Sequence, residues 1–207
     1  MESYPLPAFG VEVHAALFTP ITCAAELRQR LVTASTLPQD AQGDAERAQL
    51  DFAFIDASML ASRMHLLSAI TQALVSQSDG ALKTKTIHSE VLWRLEPGSN
   101  ISDSLKHFGL SVSTASLVLV RIAPFGFSTR ATILNHMTQL VHQATPHSLD
   151  LLGDLPNDGT NIKSLRKVYK LDNDVVLKAA DASKSAIQLR QTIDKLCTSA
   201  VALKSAA

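Results

Sequence analysis

Residues 117–122 read Leu117-Val118-Leu119-Val120-Arg121-Ile122, five apolar side chains and one arginine. The run does not alternate, so neither face of the strand it forms is reserved for water, and a strand buried on both faces is expected. It is far shorter than the ~18 residues that cross a bilayer. Pro124 and Gly126 end it. Upstream, residues 11–18 are rich in Val, Leu and Phe and read as a second strand, and residues 52–55 as a short third one, ended by Asp56. Residues 89–95 read as a fourth, with Val91, Trp93 and Leu95 on one side and Glu90, Leu92 and Arg94 on the other.

Helical patterns separate these runs. Thr19 reads as an N-cap with Pro20 at the first helical position, followed by Ile21, Ala24, Leu27 and Leu31 at helical spacing. Asp56 reads as the cap of a helix with the stripe Leu60, Met64, Leu67, Ile70 and Leu74, closed by Asp79-Gly80. Asn100 caps a short helix with Ile101, Leu105 and Phe108 inward, Asp103 as the partner in a capping box, and Gly109 as its stop. Residues 128–142 read as a helix with Ile133, Met137, Leu140 and Val141 inward, and Thr160 or Asn161 caps another through Ile162, Leu165 and Val168. A long closing helix begins near Asp181, where Leu189, Ile193, Leu196, Ala200 and Leu203 recur at steps of four and three. That seam is narrow and suits packing on one or two other helices. Residues 36–49 are polar and hold Pro38 and Gly43, which fits a loop or a short frayed helix. The expected fold is mixed α/β: a small central sheet of about four strands flanked by helices, with a long C-terminal helix, in a single domain over residues 1–207.

Composition narrows the function classes. The chain has 207 residues, 46% of them hydrophobic and 18% charged, with Lys+Arg 19 against Asp+Glu 19. This length buries enough surface to fold without a disulfide or metal. Zero formal charge excludes a bulk polyanion binder, so any nucleic-acid site must be a local patch. Two cysteines, Cys23 and Cys197, are too few to staple a secreted fold and point to a reducing compartment. The first ten residues carry Glu2, no basic residue and no apolar core with a cleavage site, so no signal peptide is expected, and no apolar run approaches the ~18 residues of a membrane span.

Catalytic signatures do not appear. The sequence has no phosphate-cradling Gly-Lys-Ser/Thr loop, no Gly-x-Gly-x-x-Gly, no Gly-x-Ser-x-Gly and no His-Glu-x-x-His. Neither a catalytic residue nor a cofactor or metal is expected. Two segments carry more. The first is Lys83-Thr84-Lys85-Thr86, followed later by Asn100-Ile101-Ser102 at a helix start. Lysines, hydroxyls and helix-start amides all donate to phosphate, and an apolar residue at the first turn can pack a splayed base. A solvated lysine loop beside an ordinary capped helix is the plainer alternative. The second is Ser164-Leu165-Arg166-Lys167-Val168-Tyr169-Lys170, whose cations the helix dipole also explains.

These segments resemble a known family. Lys83-Thr84-Lys85-Thr86-Ile87-His88-Ser89-Glu90-Val91, then Leu95-Glu96-Pro97-Gly98-Ser99-Asn100-Ile101-Ser102-Asp103-Ser104-Leu105-Lys106-His107-Phe108-Gly109-Leu110, is similar to the PRPK-binding proteins, the small tRNA-binding subunits of the EKC/KEOPS complex. Leu117 to Ile122 and the stretch from Asn161 to Leu171 match as well; Glu96 and Ser99 depart from the usual residues, and residues 36–49 resemble an insertion. The resemblance implies a non-catalytic subunit that binds the complex's small atypical kinase/ATPase directly and its threonylcarbamoyltransferase indirectly. It implies capture of the tRNA 3′ CCA end in support of threonylcarbamoylation of the adenosine beside the anticodon. It also implies links to telomere maintenance and transcription, and a place in the nucleus, at telomeric chromatin, and in the cytoplasm.

On that resemblance Lys83, Lys85, Thr86, Asn100, Ile101 and Ser102 are the expected RNA contacts. The kinase face is expected at apolar helical positions left over once one core is built: Leu27 and Leu31 on the first helix, and Leu189, Ile193, Leu196 and Ala200 on the last. Core packing is the rival role for these six. A kinase scaffold that never touches RNA, and a stand-alone RNA-modifying enzyme, are the competing functions.

Overall fold

The computed structural model describes residues 1–156, 159–182 and 185–204. Along the chain the strands and α-helices are β1 (Glu2–Leu6), β2 (Val11–Phe18), α1 (Ala24–Thr36), α2 (Ala41–Gln49), β3 (Ala53–Asp56), α3 (Arg63–Ser78), α4 (Ile87–Leu95), α5 (Ile101–Phe108), β4 (Leu117–Pro124), α6 (Arg130–Leu140), β5 (Pro146–His147), α7 (Ile162–Val168), α8 (Val175–Ala182) and α9 (Ala186–Leu203). The fold is mixed α/β, as expected. Two compact units form, a sheet unit of residues 1–56 and 110–148 and a helical unit of residues 57–109 and 149–207.

In the sheet unit every pairing is antiparallel, in the order β1-β2-β4-β3. β5 pairs with Leu17 and Phe18 of β2, where β1 has ended at Ala15. β2 and β4 are apolar and buried on both faces, as residues 117–122 foretold. Ala16 and Phe18 of β2, Phe54 of β3 and Leu117 and Leu119 of β4 share one core with Leu27 of α1 and with Ile133, Met137 and Leu140 of α6. β1 escaped the sequence reading because it carries Pro5 and two polar residues, which an edge strand tolerates.

The first helix starts four residues later than Thr19-Pro20 suggested. The Ile21 amide donates to the Ala115 carbonyl at 2.8 Å, and the Thr19 and Ser116 hydroxyls bond at 2.6 Å, so this stretch is spent on the start of β4. Residues 41–49 form a helix despite their polarity. Asp40 caps α2 by accepting from the Gly43 amide at 2.8 Å. The Arg30 guanidinium grips the Glu46 carboxylate through two bonds, at 2.6 and 3.1 Å, tying α2 to α1.

The helical unit contains the main correction. Residues 89–95, read as a strand, lie in α4. Glu90 and Arg94 are four residues apart and 3.3 Å apart in space, so both polar residues of the apparent alternation are paired and buried within one helix. α3 begins at Arg63, capped by Ser62 accepting from the His65 amide, and Asp56 instead accepts from the Thr114 hydroxyl. The inward face of α3 is therefore His65, Leu66, Ala69, Ile70, Ala73 and Leu74, and Met64 is exposed. On α5 Phe108 is buried but Leu105 is exposed. Gly109 does end α5, through close approach rather than a left-handed turn, because a Cβ there would stand 2.4 Å from the Leu105 carbonyl oxygen. The closing helix starts at Ala186, and α8, capped by Asp174, occupies the stretch before it. α3 packs on α4 and α9, α4 on α5, and α8 on α9.

Candidate functional site

Lys83, Lys85 and Thr86 lie on the loop entering α4. Glu90, fully buried, fixes this loop from inside: its Oε2 accepts from the amides of Lys83 (2.9 Å) and Thr84 (3.1 Å) and from the Thr84 hydroxyl (3.0 Å). Its Oε1 faces Arg94, whose guanidinium also donates to the Ser76 hydroxyl. The anchoring carboxylate is turned inward, and both lysines are left exposed with no ion pair among the described residues. Thr86 has a different task. It caps α4 in a complete capping box with Ser89, so its hydroxyl is spent on the Ser89 amide at 3.1 Å.

Asn100, Ile101 and Ser102 begin α5 at the other end of α4. Asn100 accepts from the Ser102 amide at 2.9 Å, satisfying one of the four amides that a helix start leaves open. Asp103 closes no capping box there. Asn100 and Ser102 are exposed and Ile101 is half-buried. The turn before them is held by side chains from α4 and α5 and by the residues that end α4, α7 and α9. The Trp93 indole donates to the Ser99 carbonyl at 3.0 Å. Lys204, just past α9, donates to the carbonyls of Trp93, Glu96 and Gly98. Glu96 accepts from the Gly98 amide at 3.3 Å and bonds His107 of α5 at 2.7 Å. Tyr169, the C-cap of α7, donates to the Leu95 carbonyl at 2.5 Å, and its oxygen lies 2.7 Å from Nε2 of the fully buried His65. Burial takes the His65 pKa down to about 3, so this ring is neutral and structural.

The two expected halves of the site are thus separated by the length of α4. Nine residues at about 1.5 Å each make about 13 Å, which a few nucleotides of single strand cover. Charge distinguishes this unit from the other. All ten lysines of the chain fall in the helical unit, which holds fourteen Lys and Arg against eleven Asp and Glu; the sheet unit holds five against eight. The zero net charge seen in the sequence conceals this division, because the units interleave along the chain.

The six apolar positions expected at a kinase face divide. Leu27 and Ile193 are 3% and 2% exposed and belong to the cores of their own units, while Leu31, Leu189, Leu196 and Ala200 are half-buried. The buried row of α9 is Ile193, Cys197 and Val201. Sequence reasoning missed a more exposed set: Val175 (80%) and Val176 of α8, and Ile187 (72%) and Leu203 of α9. The adjacent Val175 and Val176 were its only sign, hidden behind the polar residues 172–174.

Cys23 and Cys197 are buried, and burial pushes the Cys197 thiol up to about 12, so it carries little thiolate. Among the described residues no three His, Cys, Asp or Glu side chains gather where they could hold a metal ion, and no helix is long and apolar enough to cross a membrane.

Comparison with known proteins gives a consistent answer. A family model described as kinase binding protein CGI-121 matches residues 18–205. The EKC/KEOPS complex subunit cgi121 of Aspergillus fumigatus is 31% identical over 192 residues, covering 91% of this chain and 92% of the relative. The subunit of the same name from Coccidioides immitis is 29% identical over 205 residues, covering 94% and 91%. That of Yarrowia lipolytica is 32% identical over 171 residues, covering 83% and 86%.

Proposed function

The chain belongs to the CGI-121 family of kinase binding proteins, and from that premise we propose that it is a non-catalytic EKC/KEOPS subunit that captures the 3′ CCA end of tRNA. The observation that carries the RNA part is the site on the lysine-bearing unit. Two exposed lysines stand on a loop fastened by a buried carboxylate, and an exposed helix start lies at the other end of the same short helix. Lys83 and Lys85 neutralise phosphates, while Asn100, Ile101 and Ser102 receive a terminal base. A rigid loop and turn present these groups without an ordering cost on binding.

The kinase is bound directly by the exposed apolar positions of α8 and α9, two packed helices that leave Val175, Val176 and Ile187 60–80% exposed. Through the kinase the subunit joins the threonylcarbamoyltransferase and serves modification of the adenosine beside the anticodon. Work in the cytoplasm and the nucleus, including telomere maintenance and transcription, follows from the complex rather than from a separate site on this chain.

The RNA part is tested by the salt dependence of tRNA binding. Removing one phosphate contact lowers the slope of log affinity against log salt by about 0.7 on a single strand. Lys85→Glu is expected to weaken binding and flatten that slope by about this amount. An unchanged affinity and slope would remove Lys85 from the site and favour a kinase scaffold without RNA contact.

A further inference from the structure

The turn that presents the start of α5 is held by a charge from the far end of the chain. α4 stops at Glu96 in an extended conformation, followed by Pro97 and Gly98, so among the described residues no backbone amide folds back to close its last carbonyls. Lys204 does this instead. Its Nζ donates to the carbonyls of Trp93, Glu96 (2.6 Å) and Gly98 (2.8 Å) and lies 3.4 Å from the centroid of the Trp93 ring. A cation at a helix C-terminus and over an indole face is favoured on both counts. The charged groups around it are Arg94, Glu90 and Glu96, with His107 bound to Glu96. The other side-chain donors to the carbonyls of this turn among the described residues, Tyr169 and Trp93, are neutral.

We propose that Lys204 is the positioning residue of the RNA site: its ammonium holds the α4–α5 turn, and neutralising that ammonium loosens the start of α5 while the unit stays folded. This rests on the RNA reading above. Removal of the charge changes the count of bonds, because a neutral amine has two N–H groups for three carbonyls. Burial, then the Arg94 charge, lowers the Lys204 pKa to about 8, so the change falls within an accessible pH range. The sign separates it from unfolding. A lysine whose folded pKa lies below its unfolded value adds stability as pH rises from about 8 towards 10.5, so weaker binding over that range is not weaker folding.

The chain has one tryptophan, Trp93, so its fluorescence reports the contact without RNA. Wild type, Lys204→Met and Lys204→Arg are compared by Trp93 fluorescence, thermal midpoint and tRNA anisotropy between pH 7 and 9.5 at fixed ionic strength. Wild type is expected to show a fluorescence transition near pH 8 and a severalfold loss of tRNA affinity across it. Lys204→Arg is expected to show neither, and Lys204→Met to bind about tenfold more weakly at pH 7 with no further pH dependence. Equal binding by wild type and Lys204→Met at pH 7 would overturn the proposal. So would the same pH profile in wild type and Lys204→Arg, a comparison that decides even where Lys204→Met fails to fold. A fluorescence transition near pH 8 in a wild type that binds no tRNA would retain the clasp, overturn its role in the RNA site, and place the failure in the RNA reading itself.

Discussion

Glu90→Ala is expected to lower the unfolding free energy by about 3–5 kcal/mol, the cost of breaking a buried ion pair from one side. Glu90 is fully buried and faces Arg94, which is 5% exposed. Truncation leaves the Arg94 charge with the Ser76 hydroxyl as its side-chain hydrogen bond among the described residues and strips the amides of Lys83 and Thr84 of their acceptor. The same carboxylate is what orders the lysine loop, so one substitution reaches both fold and site. Urea unfolding measures the first effect, as a lower midpoint at unchanged slope. Glu90→Gln keeps the shape and part of the acceptor capacity and is expected to fall between wild type and Ala. A loss below about 1 kcal/mol for Glu90→Ala would mean that the loop and Arg94 are held by other groups.

The second large effect separates surface from core on α9. Ile187→Arg is expected to leave stability within about 0.5 kcal/mol of wild type, because the site is 72% exposed. It is expected to weaken the complex with the kinase by about thirtyfold or more, as loss of an interface anchor does. Ile193→Arg places an unpaired charge at a position 2% exposed and is expected to unfold the helical unit. Size-exclusion chromatography of each variant mixed with the kinase reads both. Co-elution of Ile187→Arg at wild-type affinity would move the kinase face off this part of α9.

The architecture was legible where burial and periodicity agree. The run at residues 117–122 announced a central strand, and Ile133, Met137, Leu140 and Val141 are all buried, as their spacing indicated. It was illegible where tertiary pairing overrides the pattern. Glu90 and Arg94 sit at positions that alternation reserves for solvent, and their mutual contact, with the Lys83 and Thr84 amides and the Ser76 hydroxyl, lets them be buried in a helix. α2 has almost no apolar face and is held by Arg30–Glu46 and by Arg47 bonds to the Leu37 and Pro38 carbonyls, polar contacts with residues before the helix that hydrophobic periodicity does not register. Of the site, the lysine loop and the capped helix start were readable as residues. Their fastening was not: Lys204 and Tyr169 reach the α4–α5 turn from more than seventy positions away in the chain. The kinase face shows the same limit, since a seam at steps of four and three marks a packed face and cannot say that Ile187, two residues before it, and Leu203, at its end, are left outside.

The central claim, that this subunit takes hold of a tRNA by its 3′ end, is tested most directly by fluorescence anisotropy of the whole chain with two transcripts of one tRNA, one ending in CCA and one lacking it. Loss of the CCA end is expected to weaken binding by tenfold or more, and Lys85→Glu to discriminate less between the two transcripts than wild type does. Equal affinity of wild type for both transcripts would contradict it.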